Sequence, residues 1–136
     1  MTERIVFLTL DEVLEMQFDL IEAFGGSYGI RDSGLLEAAL GMPESGVSGE
    51  YYHKDVFEMA AAYAFHIVSN HPFVDGNKRV ALACALTFLE INGHSVIEGS
   101  NELYDAILHL ISGEMDKSGF ARLLESLASP RNTKSE

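Results

Sequence analysis

Tryptophan is missing altogether from these 136 residues, and cysteine occurs once, at Cys84. A lone cysteine excludes an internal disulfide and fits a reducing compartment, so the expected location is cytoplasmic. Cys84 falls among Ala and Leu in a helical run, where it reads as a small core residue rather than a nucleophile. Cations are scarce too: 9 Lys and Arg against 21 Asp and Glu give a formal net charge of -12. Such a surface repels nucleic-acid backbones, so no direct nucleic acid binding is expected; it suits a basic protein partner and equally serves solubility. No apolar run is long enough to span a membrane, and Met-Thr-Glu-Arg opens the chain without a signal-peptide pattern. Internal repeats and low-complexity segments are absent. The chain also has no His-Glu-x-x-His, no P-loop and no His-Asp dipeptide. These absences exclude zinc peptidases of that type, P-loop NTPases and HD-type phosphohydrolases.

What remains is a helix-forming chain of one domain's length with 47% hydrophobic residues, expected to fold over 1–128 with a disordered tail, 129–136. A β-prone run at 5–8 precedes Thr9-x-x-Glu12, a capping-box spacing, and a first helix ended by Gly25-Gly26. Helices are predicted over about 32–40, 55–70, 77–92 and 103–111, and a last one opened by Asp116 or Ser118 and stopped at Pro130. Ser100 is a candidate cap for the fifth, and 94–97 reads as short and extended. Residues 41–52 form the longest polar connection, rich in Gly and Ser, the kind of loop that often serves as a lid. The helix after residue 77 is nearly apolar all round and is expected at the centre. His66 reads as a packed or polar-face residue, and His53, His94 and His109 as surface residues.

Between the third and fourth predicted helices lies the stretch that carries chemistry, His71-Pro72-Phe73-Val74-Asp75-Gly76-Asn77-Lys78-Arg79. Asn77 is an N-cap residue type, and the amides following it have no helical partner and carry the positive end of the helix dipole. Gly76 permits close approach of a ligand, and Lys78 and Arg79 add charge in the same turn. Phosphate is the natural occupant of such a turn. Asp75 beside an anion site makes sense as a Mg2+ ligand, and His71 is the side chain that takes a proton near neutral pH. Together they form a phosphoryl- or nucleotidyl-transfer set.

The stretch His-Pro-Phe-x-Asp-Gly-Asn-Lys-Arg resembles the signature of the Fic/Doc superfamily, and Lys78 points to its Doc (death-on-curing) branch. The Fic branch usually has glycine at that position and a second arginine where this chain has Leu82. Gly29-x-Arg31-Asp32 ahead of Leu-Leu-Glu is also similar to the Doc branch. Arg31 reads either as a surface cation or as a contact to nucleotide or target. The resemblance covers the chain to about Leu127 and implies an all-α Fic-type bundle of about six helices around the helix that follows the motif. In such folds a flap over the active site docks the target, and 41–52 is the candidate here.

The resemblance further implies a toxin of a toxin–antitoxin system that transfers the γ-phosphate of ATP, with Mg2+, to a hydroxyl of a target protein, elongation factor Tu. His71 would be the general base, Asp75 the metal ligand, Gly76, Asn77, Lys78 and Arg79 the phosphate-binding turn, and Pro72 and Phe73 structural residues. AMP transfer, the Fic-branch reaction, is the alternative; it normally uses the second arginine that Leu82 replaces. A non-enzymatic antitoxin-binding module is the third reading. The family's self-inhibitory Ser/Thr-x-x-x-Glu-Gly/Asn motif has only a near match, Ser95 to Gly99, one residue short. Control is therefore expected from a Phd-like antitoxin whose C-terminal segment folds into a groove flanking the motif.

Overall fold

A computed structural model describes residues 4–96 and 101–130. Among these, six helices account for most of the chain: α1 (Leu10–Phe24), α2 (Ser33–Gly41), α3 (Val56–Asn70), α4 (Asn77–Ile91), α5 (Glu102–Ser112) and α6 (Lys117–Leu127). Four are started by side-chain caps at the expected places. Thr9 and Glu12 close a capping box on α1. Asp32, Asp55 and Asp116 accept from the amides of Leu35, Glu58 and Gly119 at 2.8–2.9 Å. Each such cap satisfies an amide that the helix itself cannot. Ser100, the cap expected for α5, lies outside the described residues.

The centre is shared by α3 and α4. α3 packs against α2, α4, α5 and α6, and α4 against α1, α3 and α5. Small residues make this possible: Ala60, Ala61, Ala62 and Ala64 are fully buried on α3, and Ala81, Cys84 and Ala85 on α4. Burial pushes the Cys84 thiol far above its ordinary pKa, which keeps it protonated and inert, as its sequence setting implies. Larger side chains fill the ends. Tyr63 and Phe88 are buried with ring centroids 5.2 Å apart, and the Tyr63 hydroxyl accepts the amide of Leu8 at 2.9 Å.

Strands are few and short. β1 (Gly46–Val47) and β2 (Glu50–Tyr51) form a hairpin, and β3 (His94–Val96) pairs antiparallel with β4 (Ala128–Pro130). Ser129 and Pro130, placed in the expected tail, are therefore strand residues; 131–136 lie outside the described residues. The β-prone run at 5–8 joins no sheet. Asn92 takes the place of a partner strand: its Oδ1 accepts the Val6 amide and its Nδ2 donates to the Val6 carbonyl, both at 2.9 Å.

The predicted loop 41–52 contains the β1–β2 hairpin, whose turn residues Ser48 and Gly49 both have positive φ, 56° and 83°. That is the backbone of a two-residue hairpin turn with the twist that strands require. Tyr51 meets Phe7 edge-on at 5.6 Å, and Phe7 stacks on Phe88 at 5.7 Å. Phe88 lies about 16 Å along α4 from Asn77 at the helical rise. The loop expected as a flap is thus a hairpin held, through Tyr51 and Phe7, against Phe88 in the C-terminal half of α4.

α6 is fastened to α3 by a polar contact. Lys117 Nζ stands 3.1 Å from Nε2 of His66. His53 and His94 are half-buried rather than superficial, His94 edge-on against Phe57 at 4.9 Å; His109 is exposed. Burial, then the Lys117 cation, hold the His66 pKa down from 6.5 to about 4. The folded state therefore favours neutral His66. Its contribution to stability is complete above the unfolded pKa of 6.5 and is lost as pH falls from there towards 4. The urea midpoint should decline across that window, and His66→Gln should flatten the decline. An equally steep decline in the variant would assign it to other groups.

Candidate active site

α3 ends at Asn70, and the chain reverses through His71, whose φ and ψ of 51° and 55° put it in the left-handed region. A non-glycine residue rarely takes that conformation unless its surroundings hold it there. The His71 side chain is exposed; Pro72 and Phe73 behind it are buried, Phe73 completely. Gly76, with φ of 83°, starts α4.

Asn77 differs from its expected role. It does not cap α4; Gly76 occupies the cap position and no side chain caps the helix. Asn77 is 6% exposed, its Oδ1 accepts the Phe73 amide and its Nδ2 donates to the Phe73 carbonyl, each at 3.0 Å. The physical reason is the buried peptide group of Phe73, which has no helix or sheet to satisfy it. As a consequence the first-turn amides of Asn77, Lys78 and Arg79 keep no cap and face outward as donors. Only the main chain of Asn77 is available to a ligand. Asn77→Ala should cost about 2–6 kcal/mol, since both Phe73 groups are stranded at about 1–3 kcal/mol each. A melting temperature equal to that of the parent would show that water replaces the side chain.

Asp75 is exposed and half engaged: Oδ2 accepts the amide of Ser27 at 2.8 Å, and no described residue takes Oδ1. The loop that supplies Ser27 is held by Gln17, a residue the sequence reading did not single out. Gln17 is 5% exposed, and its Nε2 donates to the carbonyls of Ser27 and Asp75, both at 3.3 Å. Its signal was a lone amide on the α1 face that buries Val13 and Ile21. Gly26 also does more than end the helix. A Cβ there would lie 3.1 Å from Ile21 Cδ1 and 3.4 Å from Asp75 Oδ2, at a φ of 118°.

Arg31 is not a free surface cation. Its Nε donates to the His71 carbonyl at 2.6 Å and its Nη2 to the Asn70 carbonyl at 2.9 Å.

Two hollows meet at the start of α4. One, of about 230 Å³, is lined by Phe24, Gly25, Gly26, Asp75, Gly76, Lys78, Arg79 and Tyr104, with Asn77. The other, of about 280 Å³, joins His71 to Asp75, Gly76, Asn77 and Lys78 between the apolar walls of Val68, Val74 and Ile111. Every expected site residue except the buried Pro72 and Phe73 therefore borders one or both. Arg79 leans over the Phe24 ring, 3.8 Å from its centroid, and 5.6 Å from that of Tyr104. Beyond it an apolar groove of about 330 Å³ runs between α1, α4 and α5, lined by Leu20, Phe24, Leu82, Leu86 and Tyr104 among others. Leu82 thus presents hydrocarbon to this groove.

This arrangement can do four things at once: donate main-chain hydrogen bonds to an anion, neutralise it with Lys78 and Arg79, offer a carboxylate oxygen to a cation, and take a proton at His71. A metal held here would not be caged, since no group of three His, Cys, Asp or Glu among the described residues can hold one. One carboxylate plus phosphate oxygens is the way Mg2+ is usually held.

The model of the Fic/DOC family matches residues 7–89, which run from the segment before α1 through most of α4. "Toxin Doc" of Mycolicibacterium smegmatis is 48% identical over 71 residues, covering 52% of this chain and 55% of that protein. The match thus spans about half the length of that relative. "Protein kinase doc" of Escherichia phage P1 is 36% identical over 117 residues, 86% of this chain and 91% of that protein.

Proposed function

The chain belongs to the Fic/DOC family, on its Doc side, and from that premise we propose that it is a Doc-like toxin of a toxin–antitoxin system that moves the γ-phosphate of ATP onto a protein hydroxyl. The observation that carries this reading is the uncapped first turn of α4, which opens on the same hollow as His71 and Asp75. In the proposed reaction the target hydroxyl enters between Val68, Val74 and Ile111, and His71 takes its proton. The oxygen attacks the γ-phosphorus, the bond to the β-phosphate oxygen breaks, and ADP leaves. The amides of Asn77, Lys78 and Arg79, with the two cations, hold phosphate oxygens while charge builds on them. Asp75 is the residue that would hold Mg2+ through its open Oδ1, and the ion would supply further neutralisation of the polyphosphate. Leu82 favours phosphate transfer over AMP transfer, because it leaves the first turn as the only cationic part of α4.

The named kinase relative supports phosphotransfer, and the family supports a nucleotide as donor. The proposed target is a translation elongation factor, Tu in the first instance, and the proposed location is the cytoplasm. No helix among the described residues is long and apolar enough to cross a membrane. We assign the groove between α1, α4 and α5 to a Phd-like antitoxin segment: it shares Phe24, Arg79 and Tyr104 with the phosphate hollow, so its occupant would bear on Arg79. Expression of the chain in a bacterial host should arrest growth, and coexpression of the antitoxin should relieve the arrest. Full transferase activity in the presence of the antitoxin would contradict the groove assignment.

A further inference from the structure

The segment ahead of α2 lies along the motif like a template. The Gly29 carbonyl accepts the Val74 amide at 3.0 Å, and the Pro72 carbonyl accepts the amides of Arg31 and Asp32 at 2.6 and 3.0 Å. Ile30 and Phe73 form an isolated antiparallel bridge. The Arg31 side chain completes this grip through the carbonyls of Asn70 and His71. Those two carbonyls sit at the C-terminal end of α3, where the helix offers them no amide. A cation is favoured there by the helix dipole, and a planar guanidinium reaches two adjacent acceptors where an ammonium is a single point. His71 itself has φ of 51°. Arg31 donates to its carbonyl from the side chain and to the next carbonyl from the main chain, so the peptide plane that follows His71 is fixed from one residue. The orientation of that plane sets where the His71 Cα–Cβ bond points.

We propose that Arg31 is a positioning residue, whose guanidinium holds the His71 main chain in the left-handed conformation and so aims the imidazole into the hollow shared with Asp75 and Lys78. Its kinetic consequence rests on the reading of His71 as the base; its structural consequence does not.

The test uses the full chain with Arg31→Ala and Arg31→Lys. Steady-state transfer from ATP, nucleotide affinity, thermal melting and the imidazole Cε1–H resonance of His71, assigned with His71→Ala, are measured together. The expected result for Arg31→Ala is a fall in kcat on the order of a hundredfold, the scale of a misplaced reacting group. Nucleotide affinity and KM for ATP should be unchanged, and Arg31→Lys should be intermediate. Methylguanidine should restore part of the activity of Arg31→Ala and none of that of His71→Ala. Wild-type kcat in both variants overturns the proposal. So does a raised KM with intact kcat, which would make Arg31 a ligand contact. If Arg31→Ala does not fold, Arg31→Lys carries the same comparison. If the wild type transfers nothing from ATP, the transferase reading fails, yet the His71 resonance still decides. A shifted or broadened signal in a folded Arg31 variant supports the clamp, and an unmoved one overturns it.

Discussion

Replacing His71 with alanine is expected to lower phosphate transfer by about 10²–10⁴-fold, the usual contribution of a positioned general base. Nucleotide binding should survive, because the groups proposed to hold phosphate belong to α4 and to main-chain amides that do not depend on the imidazole. Folding should survive too. The His71 side chain is exposed, and no described residue depends on its ring; the bonds at this position use its main chain. Alanine is poorly suited to a φ of 51°, so His71→Asn is the companion variant, asparagine being better tolerated there. Turnover preserved in both variants would remove His71 from the chemistry and leave the antitoxin-binding reading as the better one.

Asp75→Ala should act on a different step. A bond to a charged group contributes about 1.5–3 kcal/mol, so Mg2+-dependent ATP affinity should fall by roughly 10- to 150-fold. The melting temperature should move little, since Asp75 is exposed and its one recorded side-chain partner is the Ser27 amide, itself exposed. Asp75→Asn separates the two roles. It keeps an acceptor for Ser27 and removes the charge, so it should restore the loop and not the metal dependence. Titration calorimetry with and without Mg2+ reads the effect. A large loss of stability with unchanged affinity would make Asp75 a loop staple only.

These two predictions rest on residues that were legible in the sequence, and the reason is local. The motif occupies nine consecutive residues, and its chemistry comes from residue types side by side at a helix start. Helices were legible for the same reason: Thr9-x-x-Glu12 or Asp55 announces an N-terminus within one turn, and apolar periodicity does the rest. What escaped depends on long-range contacts. Asn77 looked like a cap because asparagine before a helical run usually is one; only the buried Phe73 peptide, brought back by the turn, redirects its amide. Gln17 reaches Asp75 across 58 residues, and Arg31 reaches His71 across 40. No spacing rule links those positions. The β1–β2 hairpin has two residues per strand, too few for alternation to register, and its attachment to Phe7 and Phe88 could not be read from the loop's composition. β3 and β4 are separated by three helical turns of α5 and the whole of α6, so neither revealed its partner.

The pattern has a functional side. The residues that would meet ATP are neighbours in the chain, whereas those that hold them in place come from α1 and from the segment before α2. Substitution of His71, Asp75, Lys78 or Arg79 should alter binding or turnover with the fold intact, whereas Asn77, Gln17 and Arg31 act through the placement of the motif loop.

The central claim is that phosphate, not AMP, leaves the nucleotide. The measurement is label transfer: the purified chain with Mg2+, ATP labelled at either the α- or the γ-phosphate, a bacterial lysate, and His71→Ala beside it. Label is expected from the γ position alone, on a protein of elongation factor Tu size, and none with His71→Ala. Label from the α position would contradict it and show that Leu82 does not decide the reaction.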